Sequence, residues 1–135
     1  MRKLGFVLGM AGFFLSSAAY SEKVILDYKD YDDELMKTLE QTIKYFEPDI
    51  GGENLTGIAE DATILNDGFK YTEKYFTNKG NYPDAVKWSK DGQAYIASVL
   101  KNVQDKNFDA AAEAARGATK TCKSCHEVYK PNQSR

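Results

Sequence analysis

Cys122, Cys125 and His126, inside the stretch CKSCH, are the only two cysteines and the only histidine in a chain of 135 residues. On a helix, positions i, i+3 and i+4 share one face, so both thiols and the imidazole would project together. C-x-x-C-H is the attachment signature of c-type haem. The chemistry needs that spacing. Each thiol adds to a vinyl group on one side of a porphyrin, and the next residue brings an imidazole nitrogen to the iron.

Two other chemistries use similar residues. A thiol–disulfide site would usually open a helix after a strand, where the helix dipole activates the first thiol. Here the motif falls at the end of a long helical pattern, with no strand before it. A bridge between Cys122 and Cys125 would close only a tiny loop, which suits a redox motif better than a staple. A structural zinc site needs four ligands, and the chain has no further Cys or His to supply the fourth. Covalent attachment of one haem c through Cys122 and Cys125 is the favoured reading. A haem-free thiol–disulfide protein stands as a distant alternative.

The N-terminus fits that chemistry, since c-type haem is attached outside the cytoplasm. MRKLGFVLGMAGFFLSSAAYS begins with Arg2 and Lys3, runs apolar from Leu4 to Leu15, then turns to small residues. A charged start, a short apolar stretch and the Ala19-Tyr20-Ser21 site define a secretory leader over 1–21, cut before Glu22. The apolar run is too short and too broken by Gly9 and Gly12 to serve as a membrane anchor. The expected product is one periplasmic domain over 22–135, with no membrane insertion after cleavage. Losing the leader removes two of the 18 basic residues and none of the 20 acidic ones. The resulting acidity excludes nucleic acid as a partner, because that binding relies on clustered Lys and Arg.

The elements that must position the motif follow from apolar periodicity. Four segments show helical spacing: about Asp30 to Phe46, about Gly57 to Asn78, Pro83 to about Val103, and Phe108 to a stop at Pro131. Acidic residues crowd the start of the first, Thr56 offers an N-cap for the second, and Pro83 suits the opening of the third. Alternation typical of a strand is confined to the short KVILDY. Four helices with one apolar stripe each, joined by short breaks, predict an all-α, antiparallel four-helix bundle with the C-x-x-C-H motif on its last helix.

With the motif on the last helix, the chain resembles the class II cytochromes c, the cytochrome c prime family. FDAAAEAARGATKTCKSCHEVYK is similar to that family's final helix, and YPDAVKWSKDG is similar to the region opening its third. The first two helices match in pattern only. The resemblance implies an electron-transport or gas-binding haem protein of the periplasm, with dimerisation common. It also implies that Trp88 lies beside the haem. Tyr129, three residues beyond His126, shares the face of the iron ligand. Lys130 stands where the family often has Arg, and loses that residue's planar fork.

The function then turns on the second axial position of the iron. With His126 the sole histidine, two imidazoles from one chain are excluded. After leader removal, Met36 is the only methionine. It falls on the apolar side of the first helix, and the resemblance implies a Met ligand there in low-spin members. Ligated, its thioether gives a six-coordinate iron of raised potential, suited to moving electrons to a redox partner protein. Packed aside as core filler, it leaves a five-coordinate iron among Leu35 and Leu39, open to nitric oxide or carbon monoxide. The first reading is favoured. Neither is an enzyme, because no acid–base group is available over the iron. Lys120, Lys123 and Lys130 could rim the haem edge and steer an acidic partner.

Overall fold

The structure, a computed structural model, describes residues 30–129. The expected leader, the KVILDY segment, Lys130 and Pro131 lie outside the described residues. Four helices make up the fold: α1 (Asp33–Gly51), α2 (Leu55–Lys79), α3 (Pro83–Gln104) and α4 (Phe108–Tyr129). Each packs on its neighbours in cyclic order, α1 on α2, α2 on α3, α3 on α4 and α4 back on α1. This is the expected four-helix bundle, and among the described residues there is no strand. No described helix is long and apolar enough to cross a membrane.

Local signals account for most helix ends. Asp32 caps α1 by accepting from the Leu35 N–H at 2.9 Å, and Asp33 and Glu34 place negative charge at the positive end of the helix dipole. Asn54, rather than the expected Thr56, caps α2 by accepting from the Gly57 N–H at 3.1 Å. Pro83 opens α3, where its missing N–H is least costly. Asn107 accepts from the Ala110 N–H at 3.1 Å and starts α4.

The end of α1 differs from expectation. The helix runs through Pro48 to Gly51 instead of stopping near Phe46. Pro48 removes one backbone donor, a local cost. Tertiary burial outweighs it, because Ile50, one turn beyond Phe46, is as fully buried as Phe46 itself. Each connector is only three residues long. Each contains a non-glycine residue in the left-handed region: Glu53 at φ 53°, Asn81 at 64° and Lys106 at 59°. Side chains there are mildly strained, which the tight reversals impose.

The core is uneven along the bundle. Towards the α1–α2 connector, Phe46, Ile50, Ile58, Leu65, Ile96 and Val99 pack with the alanines of α4. Ala111, Ala114, Ala115 and Ala118 are buried, so α4 presents almost no side-chain bulk and lies close against α3. A second, aromatic cluster surrounds Phe76 and Ala85 near the other end, where Tyr82 and Tyr129 pack with Cys125. The α1–α4 seam is the loosest of the four.

Among the described residues, Asp61 on α2 has one oxygen shut off from solvent, close to the Asp49 carboxylate. Burial, with the nearby carboxylates of Asp49 and Glu60, pushes its pKa up. The folded state therefore binds this proton more tightly than the unfolded chain, and stability falls as pH rises through the range where Asp61 ionises. Asp61→Asn is expected to raise the thermal midpoint by about 2–5 °C at pH 7, the scale of a sub-kcal/mol gain in a small domain. The advantage should shrink as the pH falls into the carboxyl range, which thermal melts by circular dichroism across pH would show.

Candidate functional site

A cavity of about 170 Å³ opens at the end of the bundle where α1 begins, α2 ends, α3 begins and α4 ends. Cys122, Cys125, His126 and Tyr129 reach it from α4, Met36 from α1 and Trp88 from α3. All six residues singled out in the sequence thus border one space. The stripe that buries alanines along α4 continues at three- and four-residue intervals into Cys122, Cys125 and Tyr129. The same face that packs the core therefore carries the thiols.

Most of the rest of the wall is apolar, with Asp33 and Glu40 its charged members. Leu39, Ile43, Leu65 and Phe69 bound it on the core side, and Phe76 on the aromatic side. Its Ser and Thr hydroxyls are already satisfied within their own helices. Ser89 donates to the Ala85 carbonyl at 2.9 Å and Thr121 to the Ala118 carbonyl at 2.7 Å. Thr72 donates to the Gly68 carbonyl at 2.9 Å, which leaves Tyr31 to donate to the Thr72 hydroxyl at 2.7 Å.

Two buried glycines hold the wall back. A side chain at Gly68 would strike Leu39, and one at Gly92 would strike the Phe69 ring. Leu39 and Phe69 are both cavity residues, so their nesting on these glycines keeps their bulk out of the space. A Cβ at either position would press Leu39 or Phe69 towards the space.

Neither cysteine is in a disulfide, and both are half-buried. Burial pushes the Cys122 thiol up to about 11 and the Cys125 thiol up to about 12. Reactive redox thiols shift the other way, drawn down by a helix N-terminus or a cation. Here the pair occupies the last turns of a 22-residue helix, at the negative end of its dipole. His126 is half-buried on the same helix, one residue after Cys125.

Aromatic packing fixes the outer end. The Tyr129 ring lies 5.3 Å from Phe76, 5.6 Å from Tyr82 and 6.4 Å from Trp88, and its hydroxyl donates to Asp84. That contact and burial together raise the Tyr129 pKa. Sequence reasoning missed Tyr31, which precedes α1 and also lines the cavity. On α2, Tyr71 and Tyr75 make edge contacts with the Tyr31 ring at 5.3 and 4.9 Å, and Tyr75 donates to Asp30 at 2.8 Å. Lys120 and Lys123 are exposed, while Lys130 of the expected basic rim lies outside the described residues.

No protein-family model matches the chain, and no curated protein or solved structure matches it either.

The raised thiols set a measurable reactivity. At pH 8 a thiol of pKa about 11 is thiolate in about one part in a thousand. Alkylation of the haem-free, folded protein by iodoacetamide should therefore be far slower than that of free cysteine. The rate should keep climbing with pH past 9, where a simple thiol levels off, and unfolding in urea should abolish the difference.

Proposed function

We propose that the protein is a periplasmic electron-transfer c-type cytochrome of the class II kind, exported by its N-terminal leader. Cys122 and Cys125 hold one haem c, and His126 and Met36 ligate its iron. The observation that supports this most is the meeting of residues distant in sequence. Met36 of α1 and the C-x-x-C-H residues of α4 border the same apolar cavity. When bound, the haem supplies a one-electron redox centre.

The chain's own contributions follow from the wall. Cys122 and Cys125 would hold the group by adding their S–H across its two vinyl groups, which would leave two thioethers and no titratable thiol. His126 provides a nitrogen from the same helix turn that carries Cys125. The thioether of Met36 is a soft, neutral ligand that favours the reduced metal and raises the potential. Leu39, Ile43, Leu65 and Phe69 exclude water and lower the local dielectric, which disfavours the extra charge of the oxidised state. Gly68 and Gly92 keep this wall concave.

The apolar surroundings of Met36 also support a second reading. If its thioether packs against Leu39 instead of the iron, the open position would take nitric oxide or carbon monoxide. The test is production in a periplasm that attaches c-type haem. Haem should stay with the polypeptide through denaturing electrophoresis, and Cys122→Ser with Cys125→Ser should release it. The reduced protein should show a sharp low-spin alpha band, which Met36→Ala converts to a broad high-spin spectrum. A wild-type spectrum already broad, shifted by carbon monoxide and unmoved by Met36→Ala, would replace the carrier with the gas-binding protein. A chain that emerges without covalent haem would overturn both.

A further inference from the structure

Seven aromatic rings form one unbroken strip beside the cavity. Tyr71 and Tyr75 contact Tyr31, Tyr75 contacts Phe76 at 5.2 Å, and Phe76 contacts both Tyr82 at 5.6 Å and Tyr129 at 5.3 Å. Trp88 completes it beside Tyr129 at 6.4 Å. Tyr31, Phe76, Trp88 and Tyr129 line the cavity, whereas Tyr71 is 37% exposed. Packing alone explains neighbouring rings. The phenols add hydrogen bonds to carboxylates: Tyr129 donates to Asp84, and Tyr75 to Asp30, which also pairs with Lys79 at 2.8 Å.

Tyr and Trp are readily oxidised by one electron, and an oxidised phenol must lose its proton at once. A carboxylate already hydrogen-bonded to the phenol is the acceptor that step requires. We propose that the strip is a second electron path, which carries oxidising equivalents from the cavity to the surface at Tyr71. It rests on the haem reading, in its form with an open iron position, only for the natural oxidant, which a peroxide would supply there.

The step balances at each end. Tyr129 gives one electron to the oxidant and its phenolic proton to Asp84, becoming a neutral radical. Tyr75 then gives one electron across Phe76 to Tyr129 and its own proton to Asp30, and Tyr129 regains its proton from Asp84. Phe76 is too hard to oxidise to hold the vacancy, and acts as a one-ring spacer. Tyr71 then gives one electron across Tyr31 to Tyr75 and its own proton to solvent, Tyr75 regains its proton from Asp30, and an ascorbate-class reductant in solution returns one electron and one proton to Tyr71.

The path can be driven from outside, because conduction has no preferred direction. The probe is photoexcited tris-bipyridine ruthenium with persulfate, applied to the full chain with or without haem. Oxidised residues are then mapped by mass spectrometry. Tyr45, on α1 outside the strip and 66% exposed, serves as the internal standard. In wild type, Tyr129 should be oxidised out of proportion to its exposure. Tyr75→Phe keeps the ring but removes the relay, so the Tyr129 product should fall severalfold while Tyr45 is unchanged. Asp84→Asn should also lower the Tyr129 product, shift oxidation to Trp88 and abolish the solvent isotope effect on Tyr129 radical formation. Unchanged Tyr129 oxidation in both variants, or wild-type oxidation that simply follows exposure, would overturn the proposal. Since the comparison does not need haem, a chain that binds none leaves this test intact.

Discussion

The bundle depends on how little side chain α4 places against α3. Ala111, Ala114, Ala115 and Ala118 are all buried, and Gly117 accepts the Tyr95 ring on the same helix. Alanine loses no rotamer freedom on burial and favours the helix, so close approach costs little entropy. That approach fixes the axis of α4 and therefore the direction in which its later residues face. Beyond Ala118 the same stripe meets Cys122 and Cys125, which point where α4 is no longer held tightly by α1. Tight packing along one seam is what makes the opening along another possible.

The cavity is lined mainly by apolar side chains. Ser89, Thr121 and Thr72 would each make it polar if their hydroxyls sought partners there, yet each donates to a carbonyl of its own helix. Such back-bonding slightly weakens a helix, and here it turns three hydroxyls onto their own backbone. The charged residues on the cavity's lining, Asp33 and Glu40, both come from α1.

Much of this was legible in the residue pattern, for reasons that also mark where reading fails. Helical periodicity places the four segments because burial on one face is a local, repeating demand. The same demand puts Met36 and the C-x-x-C-H residues on inward faces. Helix ends were less legible. Pro48 and the two glycines after it signal a stop, but Ile50 is drawn into the core and carries α1 onward. Asn54 outcompetes Thr56 as a cap because the chain reverses two residues earlier than the threonine suggests. The nesting of Leu39 on Gly68 and of Phe69 on Gly92 could not be read, since a glycine in a helix does not name the side chain that fills its gap. Nor could the role of Tyr31, whose partners Thr72, Tyr71 and Tyr75 belong to a helix it does not follow in any period.

The three connectors, each of three residues, have an entropic consequence. They make α1–α2, α2–α3 and α3–α4 local hairpins, whose closure entropy is small. The α1–α4 seam alone joins the two ends of the described chain, and it is also the seam with the fewest reinforcing contacts. Contacts between such distant segments carry the largest loop-closure cost in the bundle. Met36 lies on α1 and Cys122, Cys125 and His126 on α4, so the cavity residues meet only where that seam is closed.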